Sequence, residues 1–497
     1  MTLSNLHMQF VRFSLFLVAS SSLSFSNVVA QTTWSLQSCI DHAFEHNIQI
    51  KQSELGNNRA EINHLGAKGA FMPSLNASGS HGYNIGTTID PFTNDWARGM
   101  TQSNNIGVST GLTLFNGFRN HLSLKRAQLG LDIASANLEQ TKNDLALNIS
   151  AAYLNILFQE EFVKLAKLNL ETTRRQVERV TKLVDAGAAP AADLLDVKAQ
   201  EASDAASLIS SENSKFLAEL NLIQILQLEG SDAENFKIVA PKVGDLEVSP
   251  IPNTAEAAVS YAMNNFPQIK AAEYGVTDAE LGLNIAKSGR MPRISGSYNI
   301  GSGYSGNRQR GIGEETSVNA VIGTNELGEE LYYVGMDEFN NIFIPQITEY
   351  ESYEAIPFMD QLNSNINQSI FFSMSIPIFN GFSTYNNVEL AKVNVLQSEF
   401  QKQATSQVLR TSIESAWADA IAAQKALSAQ DAALSAAELA FANTELRFEA
   451  GSVSALEYAD ARNRLDNARI NAMRTRYDLV FKSKILDFYQ GKAITLR

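Results

Sequence analysis

The chain repeats itself at two fixed offsets. Phe115-Asn116-Gly117-Phe118 recurs as Phe379-Asn380-Gly381-Phe382, 264 residues later. At that same offset Tyr153 meets Trp417, Gly187 meets Gly451 and Asp196 meets Asp460. An earlier block recurs at 219: Gln49-Ile50-Lys51 becomes Gln268-Ile269-Lys270, Ala67-Lys68 becomes Ala286-Lys287, and Met72-Pro73 becomes Met291-Pro292. Two constant offsets describe a tandem duplication, with 45 extra residues between Pro292 and Phe379 of the second copy. The copies span 31–230 and 255–490. A linker at 231–254 carries Pro241, Pro250 and Pro252, and 491–497 form a tail.

Each copy ends in two long stretches suited only to helix. Residues 119–186 contain no Pro and a single Gly, Gly130, and 383–450 contain neither. Past Gly187 and Gly451 come two 39-residue stretches, 191–229 and 452–490, also free of both. They are rich in Ala, Leu, Gln, Glu and Lys, the strong helix formers. Helices are therefore expected over about 118–186, 190–229, 382–450 and 452–490. A helix of this size would be about 100 Å long at 1.5 Å per residue, beyond any globular helix, so these must run as a coiled coil or helical barrel. Leu124, Leu131, Leu138 and Leu145 keep seven-residue spacing, as do Val388, Val395, Leu409 and Ala416, with Lys402 as the one break.

A different period precedes each long helix. Leu75, Ala77, Tyr83 and Ile85 alternate with Asn76, Ser78, Gly82 and Asn84, and Ile106, Val108, Leu112 and Leu114 with Gly107, Ser109, Gly111 and Thr113. In the second copy Ile294, Tyr298 and Ile300 alternate with Ser295, Ser297 and Asn299, and Ile370, Phe372 and Met374 with Ser369, Ser373 and Ser375. Strands are expected at about 73–86, 104–115, 293–304 and 366–379. Alternation over roughly 10 residues suits a membrane-spanning strand. Four strands cannot close a barrel, and open edges in lipid would strand backbone groups at several kcal/mol each. Oligomerisation follows: a dimer would supply eight strands, a trimer twelve. Soluble hairpins packed on helices are the alternative. The hairpin tips are loops at 87–103 and at about 305–363; the second holds the extra residues, with acidic pairs Glu314-Glu315 and Glu329-Glu330. It is a tolerated surface insertion, or else a lid or partner contact.

Residues 1–30 place Arg12 before an apolar run from Phe13 to Phe25 and end in Val28-Val29-Ala30. They read as a signal peptide cut after Ala30. No later stretch is apolar enough to cross a bilayer as a helix. The net charge of −14 argues against nucleic acid as a partner. Cys39 is the single cysteine, so neither an internal disulfide nor a Cys-type zinc site is open to the chain. It follows Leu36-Gln37-Ser38, a poor lipoprotein box.

Together these pieces resemble the TolC-like outer-membrane efflux family across residues 32–490. The resemblance rests on Trp34-Ser35-Leu36 leading into a helix that ends at Asn47-Ile48-Gln49-Ile50-Lys51, the paired Phe-Asn-Gly-Phe motifs, and the Gly187 and Gly451 turns. It implies an α+β membrane protein of duplicated β-β-α-α units. The trimer would form a 12-stranded outer-membrane β-barrel continuous with a long periplasmic helical barrel. The implied partners are outer-membrane lipid, a periplasmic adaptor and, through it, an inner-membrane pump.

A gate can be read from the residues themselves. Asp193 and Asp196 follow the Gly187 turn, and Glu457 and Asp460 follow the Gly451 turn, each pair at i, i+3 on one helical face. Three copies would bring them into one ring that favours cations; helix-terminal acids that favour the dipole are the alternative. The resemblance points the same way, since family members carry acids at the positions matching Asp193, Glu457 and Asp460. Where some members lock the tip with Tyr and Arg, this chain has Phe448 and Val453, with Arg447 nearby. The two glycines, Phe448 and Val453 mark the tip that an adaptor would contact.

Other motifs fail on context. Gly301-Ser302-Gly303-Tyr304-Ser305-Gly306 ends a strand with no helix to follow. Gly107-Val108-Ser109-Thr110-Gly111 lies within a strand, not at a strand-to-helix elbow. His42 and His46, at i, i+4, read as a solvated face rather than metal ligands. No catalysis, cofactor or metal is expected. The chain reads as a passive exit duct for small molecules. The outlet of a type I protein-secretion system is the alternative of the same fold, and a non-porous periplasmic coiled-coil protein the alternative of a different class.

Overall fold

Asn116 and Gly117 turn the first strand pair into a helix. The computed structural model describes residues 33–90, 92, 94, 96–239, 248–319, 321–324, 330–332, 334–336, 342–344 and 346–492. The signal-peptide reading at 1–30, the middle of the linker and most of the tail lie outside these residues.

β1 (Thr33–Trp34) enters α1 (Leu36–His46), which Ser35 caps reciprocally with Ser38. α2 (Ile48–Gly69), β2 (Ser74–Ile89), β3 (Trp96–Asn116), α3 (Arg119–Asp185) and α4 (Ala191–Leu226) complete the first copy. α5 (Ser231–Glu234) and β4 (Lys237–Ile238) lie in the linker. The second copy runs α6 (Glu256–Asn265), α7 (Pro267–Ser288) and β5 (Arg293–Ser305). Its extra residues include β6 (Gln309–Asn319), β7 (Val321–Thr324), β8 (Glu330–Tyr332), β9 (Gly335–Met336), β10 (Ile342–Phe343), β11 (Gln346–Ala355) and α8 (Phe358–Ser364). β12 (Asn367–Ser375), α9 (Ser383–Glu449) and α10 (Ala455–Tyr489) close it.

The two compact units are not the two sequence copies. One comprises residues up to 60, 131–276 and 398 onward; the other comprises 61–130 and 277–397. Each draws on both copies, because paired strands and paired helices find their partners across the duplication.

In the first unit the helices bury Leu145, Ile149, Tyr153, Ile156 and Leu157 of α3 against Leu222 and Leu226 of α4 and Cys39, Ile40 and Ala43 of α1. Burial pushes the Cys39 thiol up to about 12, so it stays protonated and packs as a small apolar residue. Leu409 and Ile413 of α9 pack on Ala258, Val259 and Ala262 of α6. The Lys402 break in the heptad stripe is answered across the packing, where Lys402 Nζ pairs with Glu273 at 2.9 Å. The described ends of the linker are tied to the helices and to β1. β4 pairs in parallel with β1. The Tyr153 hydroxyl donates to the Trp34 and Val239 carbonyls at 3.1 and 2.6 Å. At the matching position of the second copy, Trp417 Nε1 donates to the Pro252 carbonyl at 2.8 Å.

In the second unit β12-β5-β3-β2 form one antiparallel sheet. Its register sorts the side chains by face. Leu75, Val108, Ile300 and Ile370 fall on one face, and Ser78, Gly107, Ser109, Asn299 and Ser369 on the other. The strands differ from the sequence reading in length. β2 and β3 stay paired out to Ile89↔Trp96, so most of the expected 87–103 loop is ladder. Residues there mix apolar, polar and charged side chains without strict alternation but still pair through their backbones. β12 stops at Ser375 instead of about 379, because Pro377 brings no N–H to a ladder. The long 305–363 connection is itself strand-rich, with β6 paired antiparallel to β11.

The repeated Phe-Asn-Gly-Phe motif is the strand-to-helix turn. Gly117 and Phe118 have φ of +66° and +64°, and Gly381 and Phe382 have +61° and +64°. Asn116 Oδ1 accepts from Asn120 N–H at 3.3 Å, and Asn380 Oδ1 from Thr384 N–H at 3.4 Å, capping each helix. The flanking rings meet edge to face at 5.4 and 5.6 Å. The two turns differ in their surroundings. A Cβ on Gly117 would lie 2.7 Å from Met291 Cβ and 2.8 Å from the Ser288 carbonyl oxygen, whereas space beside Gly381 is open. Both Gly→Ala changes should cost about 1–2 kcal/mol for the left-handed backbone, and Gly117→Ala more. Thermal melting of the detergent-purified variants checks the order; equal losses would mean that the Met291 contact gives way freely.

Candidate functional site

Both long helices end in the same device. Gly187 N–H bonds the Val184 carbonyl at 2.9 Å and Ala188 N–H the Leu183 carbonyl at 2.8 Å. In the second copy Gly451 N–H bonds Phe448 at 3.0 Å and Ser452 N–H bonds Arg447 at 2.8 Å. With φ of +73° and +72° at the glycines these are Schellman turns. Each reverses the chain into a shorter helix, α4 or α10.

The four expected acids follow directly. Asp193 lies in the first turn of α4 and Glu457 in the first turn of α10, where the helix dipole favours them. Asp196 and Asp460 lie further in and are exposed, so capping does not account for them. Ser454 Oγ accepts from Glu457 N–H at 3.2 Å, and the Glu457 carboxylate pairs with Arg447 at 3.6 Å. Arg447 thus closes its own hairpin turn.

Phe448 is turned into the packing, 4.8 Å from the Tyr458 ring and beneath the Arg179 guanidinium at 5.9 Å. It borders the small cluster of Val180 and Val197. Arg179 also pairs with Glu449 at 3.8 Å. These contacts join the tips of the two hairpins through an apolar ring and a cation rather than through a tyrosine hydroxyl. Val453 is half-buried, while Gly187 and Gly451 are exposed.

Just beyond the acids lies a polar cluster that sequence reasoning missed. Arg462 of α10 is 6% exposed. Its guanidinium donates to Thr173 Oγ1 and to the Asn169 carbonyl of α3. It lies 3.6 Å from the Asp204 carboxylate of α4 and 3.7 Å from Asp466. Thr173 Oγ1 and Gln200 Nε2 complete the bonding of Asp204. One buried cation therefore ties three helices from both sequence copies. A cleft of about 290 Å³ beside it is lined by Asp196, Gln200, Tyr458 and Arg462. Burial, followed by the charge of Glu445, raises the Tyr458 phenol above its ordinary value. The one sequence signal was an Arg on a helix whose mate supplies Asp204 only after folding.

Elsewhere, His42 and His46 stack at 4.2 Å, and Trp34 meets the His42 edge at 5.1 Å, so both rings serve packing. No group of three or more His, Cys, Asp or Glu suited to a metal occurs among the described residues, and no helix there is long and apolar enough to cross a membrane.

A face-sorted four-stranded sheet, paired 67-residue helices and acid-bearing turns define the fold of an outer-membrane duct. The chain belongs to the outer membrane efflux protein family, whose model matches residues 39–227 and 353–491. Outer membrane efflux protein BepC of Brucella suis is 20% identical over 473 residues, covering 95% of this chain and 89% of its own. Outer membrane protein TolC of Vibrio cholerae is 22% identical over 423 residues, covering 83% and 81%. A crystal structure of CusC superposes with a TM-score of 0.72 at 16% identity, covering 92% of both chains. The protein is an outer-membrane exit channel of Gram-negative efflux systems, and the non-porous alternative falls.

Arg462→Met would leave Asp204 and Asp466 buried without their cation, and should cost about 3–5 kcal/mol. The pH dependence has a definite sign. Burial raises the Asp466 carboxyl above its ordinary value, against the opposing pull of Arg462, so the folded chain holds that proton longer than the unfolded one. The resulting stability is present below the ordinary carboxylate value and is lost as pH rises through the raised one. Asp466→Asn should therefore flatten the fall in melting temperature across that window; an unchanged profile would remove Asp466 from the account.

Proposed function

We propose that three copies close one barrel and that the four acids form a cation-favouring ring at its periplasmic end. The observation that carries this reading is the pair of open sheet edges. β2 and β12 are the outer strands and run in opposite directions, so β12 of one copy can accept β2 of the next as an antiparallel partner. Closure is required in hydrocarbon, where unpaired backbone groups have no water. Two copies would give eight strands, a barrel that side chains already fill, whereas three give twelve and leave a lumen. The exposed apolar stripe Ile48, Leu55 and Ile62 on α2, at seven-residue spacing, supports helix contacts between copies as well.

In this reading small solutes pass through without chemistry, driven by an inner-membrane pump. An adaptor engages the exposed tips around Gly187 and Gly451, where Leu195 and Leu446, each about two-thirds exposed, offer apolar contact. Asp193, Asp196, Glu457 and Asp460 from three copies supply twelve carboxylates. Native mass measurement of the detergent-extracted protein should give three chains per particle; one or two would overturn the barrel. In planar bilayers, amide replacement of all four acids should lower cation preference, and unchanged ion selectivity would remove the ring while leaving the duct.

A further inference from the structure

At the outer end of the sheet the chain buries four polar side chains. Asp90 and Ser305 and Gln361 are fully buried, and Thr101 is 1% exposed. The Asp90 carboxylate accepts from Ser305 Oγ, from Phe92 N–H at 2.9 Å and from Asn307 Nδ2 at 3.5 Å. Asn307 Nδ2 also donates to Thr101 Oγ1 at 3.0 Å. Such a knot persists only if its members are bonded throughout, and it fixes where the β2–β3 tip goes.

The register gives the direction. Thr101, Gly303 and Ser305 continue the small polar face that carries Gly107, Ser109, Asn299 and Gly301. The Phe92 ring occupies the space a Cβ on Gly303 would need, so it lies over that same face. Phe92, and with it the described part of the short tip, thus lies across the polar face of the sheet. The longer insertion goes elsewhere at this point: α8 lies along the edge of β5 that β12 leaves after Gly301. There Gln361 accepts from Ser305 N–H at 3.0 Å and donates to the Ser305 carbonyl at 2.9 Å, as a neighbouring strand would. Phe358 of α8 meets Tyr304, on the apolar face, at 5.3 Å.

We propose that the tip carrying Asp90 and Phe92 is a fixed constriction at the outer mouth, and that Phe92 sets the size of solute that leaves. This rests on the barrel reading, in which the apolar face meets lipid and the small polar face lines the lumen. Three tips then project into one opening, each pinned by its own Asp90 knot, while the larger insertion decorates the rim. Gly303 is required for space, not for its backbone angle: any larger residue there would push the ring away.

Polyethylene glycols of graded mass, added to one side of a bilayer holding the channel, read each mouth separately. Phe92→Ala should shift the outer-side exclusion limit to larger polymers and leave the inner-side limit in place. Gly303→Ala should shift it in the opposite direction, to smaller polymers, because a methyl there lifts the Phe92 ring off the wall toward the axis, and it serves where the first variant does not insert. An unchanged outer limit in inserted, conducting channels would overturn the constriction and leave the duct standing. A wild-type protein that inserts but conducts nothing would overturn the luminal reading itself, and the proposal with it.

Discussion

A four-stranded sheet with two unpaired edges cannot rest in hydrocarbon, and the rest of the molecule follows from that constraint. Water satisfies a sheet edge in a soluble protein, but lipid offers neither donor nor acceptor. The even number of strands sends β2 and β12 in opposite directions, so one copy's edge suits the next. The face sorting of Ile300 and Ile370 against Asn299 and Ser369 then has a purpose, as does the apolar stripe left open on α2. Closing the sheet and covering the helices are one requirement expressed twice.

The two buried charged clusters described above are each held by several partners. Arg462 bonds Thr173 and the Asn169 carbonyl and faces two carboxylates. Asp90 takes donors from a hydroxyl, a backbone amide and a side-chain amide. Lone charges in such places would carry large desolvation costs. Complete bonding turns them into pins instead, one near the helical turns and one at the outer end of the sheet. Exposed pairs such as Arg447–Glu457 contribute far less, because water screens them.

What the sequence made legible was whatever repeats. The duplication, the strand alternation and the Gly187 and Gly451 turns are local periodicities, and local rules decode them. Phe-Asn-Gly-Phe was visible as a motif, but its function as a capped turn with two left-handed residues was not, since φ is invisible in letters. The Arg462 cluster was hidden because Asn169, Thr173 and Asp204 are remote from it in sequence and belong to the other copy. Phe448 looked like a lost hydrogen-bond donor and is instead a packing ring. The insertion looked like a loop because polar strands of a two-stranded ribbon lack a core face to alternate against. Helix ends were legible to within a few residues because glycine and proline punctuate them.

Both long helices have 67 residues, and that equality couples their lengths. Arg179, near the end of α3, reaches Glu449 and Phe448 at the end of α9. Adding a residue to one helix alone would rotate its seam by about 100° and lift its tip by about 1.5 Å. Such a change survives only if its twin changes in step, and preferably by whole heptads. The 45 extra residues in the connection between β5 and β12 face no such bookkeeping, since a hairpin can lengthen without moving its stems. Length in this molecule is therefore coupled where the helices run and unconstrained where the hairpin ends.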